Sequence, residues 1–294
     1  MPLVTACATL GYASFDLSVA LDAIATLGFS RVEITELGSY CRHFPYLQAD
    51  GAQVGAMLAA RRLTPVAMNV STSRLVNGQI LRLKLSHPGH AREVIAYAAW
   101  FLKQAQALGI GAVMLPIGPR TMDAGWQTEM QASCAVFRGI ADIASETGIG
   151  LNLEVPHLYQ LTDTVNHVKS IFAELDRPAV GATVDSSHWG IIGYDLDAFF
   201  EWLGPRLRHV HLRDSAGSDP RDFEQDLERT PGKGCVDFVA FGKALDRAGY
   251  TGEVSIELEH RHADLKAIAK EFQEGIAHLK HCGWKFPATV SDRK

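Results

Sequence analysis

Glu154, Asp185, His211 and Glu257 are the residues whose types and spacing point to chemistry in this 294-residue chain. They stand in Leu151-Asn-Leu-Glu-Val155, Ala182-Thr-Val-Asp-Ser186, His209-Val-His-Leu212 and Val254-Ser-Ile-Glu-Leu258. Each stretch is a short apolar or β-branched run with its acidic residue or histidine at or near the C-terminal end. A buried parallel strand that delivers one polar side chain to the rim of a barrel has this pattern. Three carboxylates and one imidazole make a hard, oxygen-rich ligand set for one divalent ion: Mn²⁺, Mg²⁺ or Co²⁺, with Zn²⁺ also compatible. The successive separations are 31, 26 and 46 residues. The first two match a strand, a helix and two loops, and the third leaves room for one long loop.

A metal held at such a rim acts as a Lewis acid on the carbonyl and neighbouring hydroxyl of a chelated sugar, and it stabilises the enediolate left when the proton beside them is removed. Glu154 and Glu257 would approach the substrate from opposite sides, one taking a proton as general base and the other returning one. That division of labour suits isomerisation or epimerisation. Simpler explanations exist for each residue alone. Asp185 could cap a turn or helix, His211 could be a hydrogen-bonded core histidine sharing a strand face with His209, and Glu259, two residues on and on the same face, competes with Glu257 as the last ligand. Four strand ends together are harder to explain away. His188, three residues after Asp185, and His157, three after Glu154, are candidate substrate-binding residues, as is Arg213 with Arg221 in the long loop. Pro231-Gly-Lys-Gly234 reads as a tight backbone turn near the ligand and lacks the spacing of a phosphate loop.

The elements that must position these residues alternate along the chain. Strands are expected over Leu3–Thr9, Arg31–Thr35, Thr64–Val70 and Ala112–Leu115, then at the four stretches above. Glu33 and Glu36 fall near the end of the second strand, and Asn69 ends the third. Helices are expected over Leu17–Leu27, Asp50–Arg61, Ala91–Leu108 and Gly125–Thr147, then one capped by Thr162 or Asp163 and ended by Pro178. Three more follow over Asp195–Leu203, Val236–Ala248 and Ala263–Lys280, and the residues from Trp284 read as a tail. The polar stretch Ser71–Gly89 exceeds an ordinary connection, as binding loops and lids do, and Arg213–Gly234 is the longest. Eight strands alternating with eight helices and no dividing linker specify an α/β single-domain (β/α)₈ TIM barrel spanning 1–294. A doubly wound sheet is the competitor, but no GxGxxG follows the first strand.

Composition narrows the classes further. Hydrophobic content of 47% and charged content of 21% are those of an ordinary globular chain. A net charge of −5 argues against a dedicated nucleic-acid surface. No apolar run is long enough to span a membrane and the N-terminus has no signal-peptide pattern. Five scattered cysteines without CxxC spacing suggest reduced thiols and a cytoplasmic location.

At these residues the chain resembles the sugar isomerase/epimerase superfamily of xylose isomerase-like TIM barrels, which includes D-tagatose 3-epimerase, hydroxypyruvate isomerase, inosose dehydratase and endonuclease IV. Leu-Asn-Leu-Glu154, Asp185-Ser-Ser-His188, His209-Val-His211-Leu and Ser-Ile-Glu257 carry the resemblance, and Gly232-Lys-Gly234-Cys-Val-Asp237-Phe238 is similar to a turn these enzymes carry. The resemblance implies that Glu154 and Glu257 are both metal ligands and the acid/base pair, that His188 contacts substrate, and that the protein is a homodimer or homotetramer. The favoured activity is a metal-dependent isomerase or epimerase acting on a free ketose or polyol-derived ketone. A dehydratase of inosose or 3-dehydroshikimate type is the near alternative. An endonuclease IV-like hydrolase is disfavoured because the loop after His211 has no histidine to build a three-metal cluster, and a non-catalytic sugar-binding barrel ranks with it.

Overall fold

The computed structural model describes residues 1–38, 40–76, 79–121, 124–217, 228–259 and 264–291. Eight parallel strands close a barrel in the order β1-β10-β9-β8-β7-β6-β3-β2. They are β1 (Ala6–Ala8), β2 (Arg31–Glu36), β3 (Thr64–Val70), β6 (Ala112–Met114), β7 (Gly150–Glu154), β8 (Val180–Asp185), β9 (Leu207–Leu212) and β10 (Glu253–Ile256), with β1 bonded to both β10 and β2 to complete the ring. The remaining two, β4 (Ser73–Val76) and β5 (Gln79–Arg82), form an antiparallel hairpin within the long polar Ser71–Gly89 connection.

The outer helices are α1 (Leu17–Thr26), α2 (Gly51–Ala60), α3 (Ala91–Leu108), α4 (Trp126–Thr147), α5 (Val165–Leu175), α6 (Ser186–Ile192), α7 (Leu196–Leu203), α8 (Phe238–Arg247) and α9 (Leu265–His281), with a short α10 (Ala288–Ser291) at the end. Their apolar stripes and the outward faces of the strands share one continuous core, in which Phe101, Phe137, Phe200, Phe241 and Phe272 are fully buried. Caps fix where several of them start: Asp50 accepts from Ala52 and Gln53 amides, and Asp237 accepts from Val239 and Ala240. Thr164 caps α5, rather than Thr162 or Asp163, and α5 ends at Leu175, where Asp176 turns left-handed two residues ahead of Pro178. The stretch expected as a tail packs against the barrel: Trp284 is buried, its indole donates to Phe238 O at 3.0 Å, and Lys285 bridges to Leu3.

Inside the barrel, small residues leave room for polar ones. Gly181 on β8 has no space for a Cβ, which would meet Asn152 Oδ1 at 2.6 Å and collide with the Arg208 side chain. Asn152 and Thr183 lie fully buried in this layer, beneath the ends of β7 and β8. Among the described residues no helix is long and apolar enough to cross a membrane.

Candidate active site

Strands β7, β8, β9 and β10 are consecutive around the barrel, so their C-terminal residues meet on one side of its mouth. Ligand atoms of Glu154, Asp185, His211 and Glu257 lie within 4.8 Å of one another. Parallel register explains the convergence: Asp185 pairs with His211, and His211 in turn with Ser255, two residues before Glu257.

The support beneath them comes from β2. Glu33 is fully buried and its Oε2 accepts from His209 Nε2 at 2.8 Å and from His211 Nε2 at 3.1 Å. Holding Nε2 turns the opposite nitrogen of His211 towards the carboxylates: Nδ1 lies 3.3 Å from Glu257 Oε2 and 3.6 Å from Glu154 Oε1. A metal-ligating histidine is oriented by just such a carboxylate on its other nitrogen. Asn69 at the end of β3 donates to Glu257 Oε1 at 3.1 Å. Asp185 has one oxygen on the Ser187 amide at 2.6 Å, where it caps α6, and the other on Arg213 Nη2 at 2.8 Å. Asp185 therefore caps α6 while its carboxylate stays within the cluster.

Glu259 is separated from the cluster. It accepts from Arg213 Nη1 at 2.7 Å, whereas Glu257 is 4.0 Å from the same nitrogen and faces His211. Arg213 lines the cavity, but its guanidinium is held by Asp185 and Glu259 rather than left open for a ligand. His157 also lines the cavity, with Nε2 3.5 Å from Glu154 Oε2. His188 is fully buried behind it, ring against ring at 4.1 Å, with Nε2 3.9 Å from Glu154 Oε1. Arg221 falls outside the described residues. The Pro231–Gly234 turn is clasped by the buried Asp214, whose carboxylate accepts from the amides of Ser215, Gly232, Gly234 and Val236. A side chain at Gly234 would collide with Ser215 O and this carboxylate.

Electrostatics divide the two acidic candidates. Burial raises the Glu154 carboxyl, but His157, His211 and His188 around it outweigh that and hold it well below the usual range. Burial pushes Glu257 up, with Glu33 and Glu154 adding to the rise and His211 and Arg213 only partly offsetting it, to about 8. Burial disfavours a charge on His211 as well, yet Glu257, Glu33 and Glu154 carry it well above an ordinary imidazole.

Two buried atoms in the cluster, Glu154 Oε1 and His211 Nδ1, have no hydrogen-bond partner. Unpaired buried polar atoms cost about 1–3 kcal/mol each unless something satisfies them. A divalent cation bonded to both would do so, and the donor set of three carboxylates and one imidazole is of the type that holds one. The residues present fit the ion.

The model of the family described as "Xylose isomerase-like TIM barrel" matches residues 21–282. The chain belongs to that family. Among curated relatives, a ketose 3-epimerase of Arthrobacter globiformis is 30% identical over 168 residues, 56% of this chain and 54% of the relative. An inosose isomerase of Bacillus subtilis (strain 168) is 29% identical over 130 residues, 44% of this chain and 46% of the relative. An inosose dehydratase of Bacillus velezensis is 28% identical over 152 residues, 48% of this chain and 49% of the relative. The chain thus spans about half the length of the curated relatives it matches. Solved structures of the same fold include D-psicose 3-epimerase with D-tagatose from Clostridium cellulolyticum H10, with a TM-score of 0.75 at 18% identity over 97% of this chain and 100% of that one. The IOLI protein with a zinc atom aligns with a TM-score of 0.75 at 18% identity over 96% of this chain and 99% of that one.

Sequence reading noted Glu33 and Asn69 but gave them no role. The signal was faint: a carboxylate inside an otherwise apolar strand, Arg-Val-Glu-Ile, with no indication of which histidine it meets. Gln160, which lines the cavity with a buried, unpartnered Oε1, carried no signal at all.

Proposed function

We propose that the protein is a divalent-metal-dependent isomerase or epimerase that moves a proton next to the carbonyl of a neutral sugar or polyol-derived ketone. The observation that supports this most directly is the convergence of Glu154 and Glu257 on one buried centre that also contains Asp185 and His211. These four would hold Mn²⁺, Mg²⁺, Co²⁺ or Zn²⁺, which supplies Lewis-acid polarisation of the carbonyl when bound.

The chain's own residues do the rest. Glu154 and Glu257 come from strands separated by two others, so they reach the reacting carbon from different directions. One carboxylate takes the proton, and its mate returns one to the same carbon from the other side or to its neighbour. Glu33 and Asn69 keep His211 and Glu257 from turning away, and Arg213 fixes Asp185. His157 and Gln160, beside Glu154 on the cavity wall, are placed to bind substrate hydroxyls, and His188 holds His157 in position. Dehydration is the second reading, favoured by the similarity to an inosose dehydratase: the same proton abstraction leaves an enolate that can expel a neighbouring hydroxyl. Relatives named for both reactions support keeping the two together.

The test is solvent exchange in D₂O. Metal-loaded wild type and Glu257→Gln are incubated with free ketoses and cyclic polyol ketones and followed by NMR. Deuterium should enter one carbon of one substrate, and the variant should be slower by about 10²–10⁴-fold. A dehydratase would also produce a conjugated enone with ultraviolet absorbance. Tight binding of a ketone by the metal-loaded protein without exchange or water loss would refute the proposal.

A further inference from the structure

The mouth of the barrel is divided into two chemical halves. Among the described residues, every titratable group lining the cavity comes from the β7–β10 side or the loops that follow it: Glu154, His157, Arg213, Glu257 and Glu259. The β1, β2, β3 and β6 side faces them with Leu10, Leu37, Val70, Met114, Leu115 and Ile117. The two polar side chains on that half, Asn69 and Ser71, each already make a hydrogen bond. Asn69 Nδ2 donates to Glu257, and Ser71 Oγ is bonded to the backbone of Ser73, 3.3 Å from its oxygen and 3.1 Å from its amide. Among the described residues, the rest of this half is apolar, and Asn69 Oδ1, beside Glu257, is the side-chain acceptor it leaves open to a ligand.

The cavity is about 200 Å³. Pockets for drug-sized ligands run from about 300 to 1,000 Å³, so a ligand chelated at the carboxylate side here cannot avoid the opposite wall. A hydroxyl pressed on Leu37, Met114 or Ile117 loses its water and gains no partner from them, whereas a methyl or methylene gains buried apolar contact. The cationic Arg213 is taken by Asp185 and Glu259, which leaves nothing among the described residues of this cavity to neutralise a phosphate.

We infer that the substrate is a deoxygenated hydroxyketone: a neutral compound whose carbonyl and hydroxyls face Glu154, Glu257, His157 and Gln160, and whose opposite end is a methyl or methylene seated on the Leu37–Met114 side. The inference rests on the proposed function for the identity of the reacting end.

The experiment compares a ketohexose with its 1-deoxy and 6-deoxy counterparts on the full-length metal-loaded protein, reading Kd by calorimetry and deuterium exchange by NMR. One deoxy compound should bind about 10- to 100-fold more tightly than the ketohexose. Leu37→Asn and Met114→Gln, each checked for its folding by thermal melting, should reduce that ratio several-fold by giving the hydroxyl a partner. A ketohexose that binds as tightly as both deoxy compounds overturns the inference, as does failure of all three to bind. The deoxy preference without any exchange leaves the inference standing and sinks the proposed reaction. Exchange at equal efficiency with all three does the reverse.

Discussion

Replacing Glu33 with glutamine tests whether the barrel interior tunes the proposed metal centre. Glu33 never touches the cavity, yet its Oε2 receives both His209 Nε2 and His211 Nε2. Glutamine keeps the size and one acceptor oxygen, removes the charge, and presents an NH₂ group to a site where two N–H donors already point inward. His211 then loses the negative partner on Nε2 that makes the opposite nitrogen, Nδ1, a strong metal ligand and fixes its direction. Loss of such a supporting carboxylate lowers metal affinity about 10- to 100-fold, which is about 1.4–2.8 kcal/mol. Competition with a chelator at several pH values would measure it, with melting of the metal-free variant as the folding control. The pH dependence carries the sharper signature. Glu33 strengthens the neutral His211 as a ligand but also helps keep it protonated, and protons compete with metal. The deficit of Glu33→Gln should therefore be largest above pH 8 and shrink towards pH 6, where the variant's weaker hold on the proton compensates. An affinity within about twofold of wild type in a folded variant, or a deficit that grows as pH falls, would refute the reasoning.

Two further outcomes follow from the same geometry. His211 and Glu257 both hold protons near neutrality, so metal binding at pH 7 should release about one to two protons per ion, with affinity rising from pH 6 to 8; calorimetry in buffers of different ionisation enthalpy would count them, and zero release would contradict the assigned ligands. Glu36, buried at the end of β2 and accepting from the Phe44 amide, has its carboxyl raised by burial from 4.5 to about 7. The folded state binds that proton more tightly than the unfolded one, so stability is lost as pH rises from 4.5 through 7, by about 3 kcal/mol. Glu36→Gln should then be more stable than wild type at pH 8 by about 2–3 kcal/mol and nearly equal at pH 4 in urea melts; equal stability at pH 8 would rule out an ionised buried Glu36 as the cost.

The alternation of eight strands and eight helices was legible because both periods are written locally. Apolar runs ended by Gly, Pro or a capping residue located β3, β9 and α3 to the residue. The four acidic or histidine strand ends were legible for a related reason: in a parallel barrel the C-terminal end of every strand reaches the same rim, so sequence position alone implies spatial neighbourhood. The hairpin of β4 and β5 was missed although its signal is local, since its two strands flank Asn77-Gly78 in the sequence, a pair that commonly marks a two-residue hairpin turn; α6, whose seven residues directly follow Asp185, is too short to show a period. Glu257 and Glu259 share a strand face and could not be told apart by spacing; a partner 46 residues away, Arg213, draws Glu259 out of the cluster.

The barrel, its family resemblance and the residue types of the candidate centre could be read from the sequence, because residue type and local periodicity are enough for those. Tertiary structure alone decided that Glu33 holds His211, that Arg213 is spent on Asp185 and Glu259, and that the cavity has one polar and one apolar half. Those facts depend on closing the ring, which brings β2 across the interior from β9 and sets side chains distant in sequence within hydrogen-bonding reach of one another. Distances of this kind exist only once the chain has closed on itself.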